Sequence, residues 1–170
     1  MDLVAAAARA MPWAQRAACR DAPDLTWVTD PSGERNVPAS VVQKFAICNE
    51  CPVRVECLRY SLSASWGETF GTWGGTTQLE RRSFSRVLNT MAAQGNPDLR
   101  AAAVEEIIAF FESTRRQRMK HWQALAAETK GRSKREVPTA RARPPVVTEM
   151  GKTMARNLER AARKSLIRRR

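Results

Sequence analysis

The chain has 170 residues, and its 29 Lys and Arg exceed its 17 Asp and Glu, which gives a net charge of +12 at pH 7. It contains a single His and no recognisable Ser/His/Asp set, glycine-rich phosphate loop or paired carboxylates, so the common enzyme classes built on those motifs are excluded. The first ten residues carry Asp2 and Arg9 around a short alanine run, which is too short and too weakly apolar for a secretion signal.

All four cysteines lie in the first third of the chain, and their spacing points to a metal site. In the close group two and then five residues separate the cysteines, and 28 residues separate this group from the fourth cysteine upstream, with no histidine nearby. Cubane iron–sulfur clusters take four thiolates, so the spacing favours a 4Fe-4S cluster. A structural zinc site and a disulfide or redox pair remain open, because Cys-x-x-Cys is also a zinc hairpin. The candidate ligands are Cys19, Cys48, Cys51 and Cys57.

Two short helices are predicted to flank the close cysteine group, since apolar residues recur there at helical spacing. The first is expected to end near Cys48. Pro52 is expected to begin the second, because its fixed φ suits that position. Cys51 would then lie at a helix N-terminus, where free amides and the dipole favour a thiolate. The apolar positions are Val41, Val42 and Phe45 in the first helix and Val55, Leu58 and Leu62 in the second.

The first ninety residues contain little apolar mass and much predicted loop. Small domains of this kind commonly need a metal or disulfides, so we expect cofactor binding to supply folding free energy. Arg20, Arg54 and Arg59 lie close in sequence to the cysteines. They are candidates to offset the negative charge of a thiolate-bound cluster, the alternative being that each is simply solvated.

Three glycines downstream of the cysteines predict a tight turn. Gly71, Gly74 and Gly75 tolerate positive φ, which allows a turn with Trp73 at its tip. Trp73 either packs inward or is offered to a partner as an aromatic anchor, and the residues alone leave both possibilities open.

Two longer helices are predicted next. Thr77 and Glu80 form a capping box for one of them, and Asn96 and Pro97 cap and begin the other. Packing of the second helix on the cysteine domain is favoured over dimerisation, and its His121 is expected at the surface. In the first of these helices the predicted buried stripe is Phe84, Val87, Leu88 and Met91, and Arg81, Arg82 and Arg86 are expected on or near the solvent-exposed face. In the second helix the predicted buried stripe is Val104, Ile107, Ile108 and Phe111, and Met119, Trp122 and Leu125 could extend it.

Almost all of the excess positive charge lies in the last forty residues. Residues 131–170 hold thirteen Lys or Arg against three Asp or Glu. Such a block favours salt-dependent, largely sequence-neutral binding to a polyanion, most simply DNA; a solvated, disordered tail is the alternative. The candidate DNA-binding residues are Arg132, Lys134, Arg135, Arg141, Arg143, Arg156, Arg160, Arg163, Lys164, Arg168, Arg169 and Arg170.

The end of this tail also has an apolar pattern. Met150, Met154, Leu158 and Ala162 recur every four residues among basic ones. The pattern predicts a basic amphipathic helix that becomes ordered on DNA or on a partner.

The residues around the cysteines carry a family resemblance. The chain reads Cys48-Asn49-Glu50-Cys51-Pro52-Val53-Arg54 before Cys57, then Phe70-Gly71-Thr72-Trp73-Gly74-Gly75 and Glu80-Arg81-Arg82, with Trp13 and Pro23-Asp24-Leu25 upstream. Together these closely resemble the WhiB-like proteins of actinobacteria and their phages, over roughly residues 12–88. One departure is Thr26-Trp27, where many relatives carry two aromatics.

The resemblance implies a small helical domain around a 4Fe-4S cluster in a transcription regulator. Relatives bind the promoter-recognising end of the principal sigma factor, and several respond to oxygen or nitric oxide through the cluster. By position, the four cysteines would be the ligands and the turn would belong to the partner surface. The implied partner-binding residues are Trp27, Phe70, Gly71, Trp73, Gly74 and Gly75.

We therefore predict a mainly α-helical, cytoplasmic, non-enzymatic regulator that binds DNA and the sigma factor, with neither a membrane nor a small-molecule substrate as partner. Residues 1–90 would form the cofactor-stapled iron–sulfur domain, 91–130 a helical extension, and 131–170 a basic, partly disordered tail. Two alternatives are kept. One is a zinc-stapled basic DNA-binding protein, and the other is a thiol–disulfide reductase of the cluster-free form acting through Cys48 and Cys51, whose thiols would form a disulfide.

Overall fold

A computed structural model of the protein describes residues 11–22, 38–64, 71–93, 95, 97–130 and 151–160. The predicted mainly helical fold is confirmed. Two 3-10 helices, Pro12–Arg16 and Ala18–Asp21, precede four α-helices: α1 (Pro38–Glu50), α2 (Arg54–Ser63), α3 (Gln78–Ala93) and α4 (Pro97–Thr129). A further helical segment covers residues 151–160. Within the described ranges, the only β pairing is an isolated bridge between Trp73 and Thr76.

Helix α4 is the central element of the fold. Its 33 residues give it a length of about 50 Å, and it packs against α1, α2 and α3. The expectation that this segment packs on the cysteine domain is confirmed. The main core lies between α2, α3 and α4, and all predicted stripe residues of α3 and the first half of α4 are buried in it. Its members are Leu58, Leu62, Phe84, Val87, Leu88, Met91, Ala103, Val104, Ile107, Ile108, Phe110, Phe111 and Leu158.

A second, smaller cluster joins the far end of α4 to α1. Val41, Phe45 and Trp122 are buried there, and the rings of Phe45 and Trp122 meet edge to face with centroids 6.5 Å apart. The predicted extension of the α4 stripe is thus confirmed at Trp122, while Met119 and Leu125 are partly buried beside it. The result is that α4 holds both helices that flank the cysteines.

The helix starts agree with the sequence at α3 and differ at α2. The Thr77 amide donates to Glu80 Oε2 at 2.7 Å and the Glu80 amide donates to Thr77 Oγ1 at 3.3 Å, which is the predicted capping box. Helix α2 begins at Arg54 instead of Pro52, which lies in a turn. Cys51 therefore precedes this turn and is not the cap of the helix.

Three arginines tie α4 to the rest of the protein or stabilise the turn before α3. Arg59 pairs with Glu105 at 2.7 Å, with both side chains substantially exposed. Arg100 donates to the Ser63 carbonyl at 2.9 Å. The expectation that Arg81 lies on the wet face of α3 is wrong, because its side chain is buried against the turn that precedes the helix. Arg82 and Arg86 are exposed, as predicted.

The helical segment at residues 151–160 has an apolar and a basic face. Leu158 is buried in the main core, and Met154 packs against it. Lys152, Arg156 and Arg160 are exposed on the same segment. The amphipathic pattern is therefore confirmed for this segment, and it is ordered against this protein's own core, not only on a partner. No helix in the described part of the chain is both long and apolar enough to cross a bilayer.

Candidate metal centre

The four cysteines line one cavity. Cys19 comes from the second 3-10 helix, Cys48 from the last turn of α1, Cys51 from the connection, and Cys57 from α2. The cavity has a volume of about 30 Å³. All four cysteines are free of disulfides. The lining residues are Ala17, Cys19, Ile47, Cys48, Cys51, Arg54, Cys57, Thr72 and Gly74.

Backbone hydrogen bonds bring the close group of three together. The Cys51 amide donates to the Cys48 carbonyl at 3.3 Å, and the Arg54 amide donates to the Cys51 carbonyl at 3.3 Å. The Cys57 amide then donates to the Val53 carbonyl at 2.9 Å. Consecutive turns thus connect the end of α1 to α2, which is why intervals of two and five residues direct three thiols to one place.

Burial dominates the electrostatics of these thiols. It raises the pKa of Cys48 and of Cys57 to about 12, and the neighbouring thiols raise both further because they would add like charge. The pKa of Cys19 is also raised, first by burial and then by Cys51. Without a cation in the cavity, Cys48 and Cys57 therefore hold their protons at neutral pH.

The glycine–tryptophan turn, residues 71–76, donates hydrogen bonds to two of the sulfurs. The Gly74 amide lies 3.2 Å from Cys57 Sγ, and the Gly75 amide bonds the Cys48 sulfur and opposes the rise of its pKa. Gly71, Gly74 and Gly75 have φ of 88°, 53° and 70°, as expected from the sequence. The donor role was not predicted, although successive backbone amides in a turn conformation are known to form anion-binding sites.

The turn lies directly on α2, and glycine is required at its closest point. A Cβ at Gly74 would lie 2.6 Å from Leu58 Cβ and 2.7 Å from the Arg54 carbonyl oxygen. A Cβ at Gly75 would meet only Cys48 Cβ at 3.5 Å and Arg54 Cδ at 4.0 Å, which are ordinary contacts. The approach of the turn to the cysteines therefore depends on Gly74 in particular.

Three partly exposed aromatic side chains, Trp13, Tyr60 and Trp73, form a continuous row that we call the aromatic surface. The Trp73 and Tyr60 ring centroids are 5.4 Å apart, and those of Tyr60 and Trp13 are 6.0 Å apart. Trp73 is neither fully buried nor fully exposed. The row includes one residue of the turn and one of α2, so it lies beside the cysteine cavity.

The arginines near the cysteines differ in what they contact. Arg54 lines the cavity, where its charge lowers the pKa of Cys48. Both of its terminal nitrogens also donate hydrogen bonds to the Glu112 carboxylate. Arg20 pairs with Asp21, and both side chains are exposed. Arg59 pairs with Glu105. Arg81 was not singled out near the cysteines by the sequence, yet its charge interacts with Cys57. Arg54 and Arg81 are thus the cations that act on the thiols.

Some of the remaining predicted residues lie in the described part of the chain and others lie outside it. Gly71 is buried in the turn. Arg156 and Arg160 are exposed on the helical segment at 151–160. His121, expected at the surface, is only partly exposed, and burial lowers its pKa. The predicted residues that lie outside the described ranges are Trp27, Phe70, Arg132, Lys134, Arg135, Arg141, Arg143, Arg163, Lys164, Arg168, Arg169 and Arg170.

The donor set suits a soft metal cofactor. Thiolates are the usual ligands of iron–sulfur clusters and of structural zinc, and two of the four sulfurs already accept amide hydrogen bonds. In the described ranges, no three His, Cys, Asp or Glu side chains converge closely enough to hold a single metal ion. The thiols instead lie around the wall of the cavity.

Known proteins resemble the cysteine-bearing part of the chain. A family model described as the transcription factor WhiB matches residues 13–84. The chain is 38% identical over 77 residues to the transcriptional regulator WhiB1 of Mycobacterium tuberculosis, which covers 45% of this chain and 87% of that protein. It is 37% identical over 84 residues to the transcriptional regulator WhiD of Streptomyces coelicolor, covering 48% of this chain and 72% of that protein.

A third relative, the transcriptional regulator WhiB of Streptomyces coelicolor, is 32% identical over 74 residues, or 44% of this chain and 76% of that protein. No solved structure gives a significant match. The matched region contains all four cysteines, the turn and the capping box of α3. The chain belongs to the WhiB family of transcription regulators.

Proposed function

We propose that this regulator is redox- or gas-responsive and that Cys19, Cys48, Cys51 and Cys57 hold a 4Fe-4S cluster. The observation that carries the proposal is that thiols from four successive segments line one cavity. Hydrogen bonds to the ligand sulfurs are among the features that set the potential of such clusters, and Gly74 and Gly75 supply them here. When bound, the cluster supplies a centre that exchanges an electron or reacts with a small gas.

The charges around the cavity suit a cluster whose metal ions are bound by four thiolates. Protons are displaced when thiols bind a metal, and the mutual repulsion of the four sulfurs is then compensated by the metal ions. A cluster with four thiolates keeps a net negative charge, and Arg54 and Arg81 act on Cys48 and Cys57 with the opposite sign. The local charges therefore match the charge of the proposed cofactor.

A single zinc ion is the competing occupant. Four thiolates at about 2.3 Å from zinc lie within about 3.8 Å of one another. Thiols around the wall of a cavity suit a cofactor that has a volume of its own, and in the described ranges no three metal-binding side chains converge on the position of a single ion. This geometry supports the cluster over zinc.

We further propose that the aromatic surface and the turn bind the principal sigma factor. Aromatic side chains presented on a rigid base are typical anchors of protein interfaces. Trp73 lies in a turn whose carbonyls at Gly71 and Thr76 both accept from the buried Arg81, at 2.9 and 2.8 Å, so its base is fixed. Trp27 and Phe70 are included in the proposed surface because of the sequence pattern alone.

The basic tail is proposed to hold promoter DNA through its phosphates. Lys152, Arg156 and Arg160 are exposed on a segment whose apolar side packs on the core, which supports a basic face with a fixed position. The other tail residues join the proposal on charge alone. In this scheme residues 1–90 sense the redox state or a gas through the cluster, residues 91–130 support that domain, and residues 131–170 bind DNA. The protein acts in the cytoplasm.

Anaerobic purification tests the cofactor directly. We expect brown protein with about four iron and four sulfide per chain, and a Cys57→Ser variant with much less of both. Iron, sulfide and zinc assays together with the visible spectrum provide the measurement. A colourless protein with one zinc per chain in iron-replete cells would refute the cluster.

Titration with the purified promoter-recognising region of the principal sigma factor tests the partner. Trp73→Ala is expected to weaken the affinity at least about tenfold, because truncating an anchor removes its contact area. Trp73→Phe, which keeps an aromatic ring, and Gln123→Ala, at an exposed position of α4, are the controls. Equal affinities for wild type and Trp73→Ala would contradict the proposed surface.

A further inference from the structure

Arg118 lies in α4, beyond the region that the family model matches, and contacts the turn beside the cysteines. Its side chain is 2% exposed. Its two terminal nitrogens donate to the Gly75 carbonyl at 2.9 and 3.0 Å, and one of them also donates to both oxygens of Glu80 at 3.1 Å. One buried guanidinium therefore reaches the turn and the start of α3 at once.

Gly75 connects this arginine to a cysteine sulfur. Its amide bonds the Cys48 sulfur, and its carbonyl accepts from Arg118 on the opposite side. Glu80, the other partner of Arg118, caps α3 by accepting from the Thr77 amide, two residues beyond Gly75. Movement of Arg118 would therefore release both ends of the segment that directs the amide at the sulfur.

Aromatic rings hold the guanidinium in place. Its central carbon lies 5.3 Å from the centroid of Phe45 and 5.1 Å from that of Phe111, distances at which a cation is attracted to the ring face. Phe45 is on α1, three residues before Cys48. Arg118 is thus in contact with both segments, α1 and the turn, that meet at the Cys48 sulfur.

We propose that Arg118 is a positioning residue for the cysteine site: it holds the glycine–tryptophan turn so that the turn amides bond the cysteine sulfurs. The helical extension would in this way set the surroundings of the site in the matched region. The part of this inference that concerns a cluster rests on the proposed function. The part that concerns the turn does not.

Two substitutions separate positioning from simple loss of folding. Arg118→Met alone leaves Glu80 charged and buried without its cation, which is costly. The double variant Arg118→Met/Glu80→Gln removes both charges, and the amide oxygen of Gln can still cap the Thr77 amide. Arg59→Gln is the matched control, since it removes another α4 ion pair that touches neither the turn nor the cavity. Arg118→Lys keeps the positive charge but cannot donate to the Gly75 carbonyl from two nitrogens, so it tests whether charge alone holds the turn in place.

Amide hydrogen exchange on the full-length protein is the cofactor-independent measurement. In the double variant, the Gly74 and Gly75 amides are expected to exchange about tenfold faster, as expected for the loss of one buried hydrogen bond, while core amides of α3 keep their rates. Arg59→Gln should leave the turn amides unchanged, and Arg118→Lys should give an intermediate rate. Unchanged turn amides in a folded double variant would overturn the proposal.

The reduction potential of the reconstituted protein is the second measurement. A shift in the double variant and none in Arg59→Gln supports the proposal, because hydrogen bonds to the sulfurs help to set the potential. The same potential in all variants would overturn the part that concerns the cluster. If wild type itself binds no iron, the proposed function fails, and the exchange rates still decide the role of Arg118.

Discussion

Replacing Gly74 by alanine tests whether the turn must lie directly on α2. At its φ of 53°, an L side chain costs roughly 1–2 kcal/mol. The new Cβ would also lie 2.6 Å from Leu58 Cβ, 2.7 Å from the Arg54 carbonyl oxygen and 2.9 Å from the Leu58 amide. Two of these neighbours are helix backbone, so the turn must move, and overpacking of this kind costs about 1–3 kcal/mol more.

Gly95→Ala separates the two contributions. Gly95 has a φ of 64°, so it bears similar backbone strain, but a Cβ there would have no atom within 4 Å. Gly75 has a φ of 70°, and a Cβ there would make only ordinary contacts. Gly75→Ala therefore introduces backbone strain next to the cysteines without a steric overlap. We therefore expect losses of about 1–2 kcal/mol for Gly95→Ala and Gly75→Ala and about 2–5 kcal/mol for Gly74→Ala.

Thermal unfolding under anaerobic conditions, followed by circular dichroism, measures these losses. For a protein of this size 1 kcal/mol corresponds to about 2–4 °C in the unfolding midpoint, so a difference of about 2 kcal/mol should make Gly74→Ala unfold roughly 4–8 °C below Gly95→Ala. Gly74→Ala should also lose iron faster in air, because a displaced turn no longer aims its amides at the sulfurs. Equal midpoints for Gly74→Ala and Gly95→Ala would refute the reasoning.

Three further predictions concern buried charge, pH and salt. Glu80→Ala, which leaves a buried guanidinium uncompensated, should lower the free energy of unfolding by about 3–5 kcal/mol, whereas Glu105→Ala at an exposed pair should cost within about 1 kcal/mol; urea unfolding compares them. Burial raises the pKa of Cys48 to about 12, so the folded cluster-free protein keeps a proton that the unfolded chain loses near pH 8.5. Its unfolding midpoint should fall as pH rises above about 8.5, and a Cys48→Ala variant should show a smaller fall. The double variant Arg156→Ala/Arg160→Ala should reduce the slope of log affinity for DNA against log salt by about two; an unchanged slope would exclude both residues from phosphate contact.

The helices and their buried faces could be predicted because apolar spacing reports them directly. The stripe from Val104 to Phe111 follows the period of a helix, and all of its members are buried. The boundary of α2 was less predictable. Pro52 fits a first helical turn, yet the Cys51 carbonyl accepts from the Arg54 amide, and this places the start of the helix two residues later.

The buried arginines could not be predicted by composition, because charged side chains are rarely fully buried unless they are paired. The partners of Arg118 are Glu80, 38 residues away, and a backbone carbonyl, which has no sequence signal. A weak signal did exist. Arg118 falls on the same face as Phe111 and Trp122, at intervals of seven and four residues, and an arginine in a buried stripe indicates a buried acceptor.

The convergence of the cysteines was predictable, and the surroundings of their site were not. The spacing predicted Cys48, Cys51 and Cys57 as a close group with Cys19 as the distant fourth member, and in the structure all four line the same cavity. The hydrogen bonds from the Gly74 and Gly75 amides to the sulfurs were not predicted, because the residue pattern indicates side-chain ligands and not backbone donors. The turn was assigned to partner binding through Trp73, whereas its backbone faces the cysteines.

The direction of those amides explains why two guanidiniums are buried behind the turn. When a tight turn aims its amides at the sulfurs, its carbonyls at Gly71, Gly75 and Thr76 face the opposite way, into the protein, where each needs a donor. Arg81 donates to the first and the third of these carbonyls, and Arg118 donates to the second.

Apolar side chains of similar volume would pack there equally well, and a buried ion pair is by itself weak evidence for stability. They would, however, leave the Gly71 and Gly75 carbonyls without donors, at about 1–3 kcal/mol each, and the Thr76 carbonyl with only the Trp73 amide as its donor. Arginine, with five N–H groups in a planar fork, satisfies several such acceptors at once, so the buried charge is a consequence of directing the turn at the cysteines.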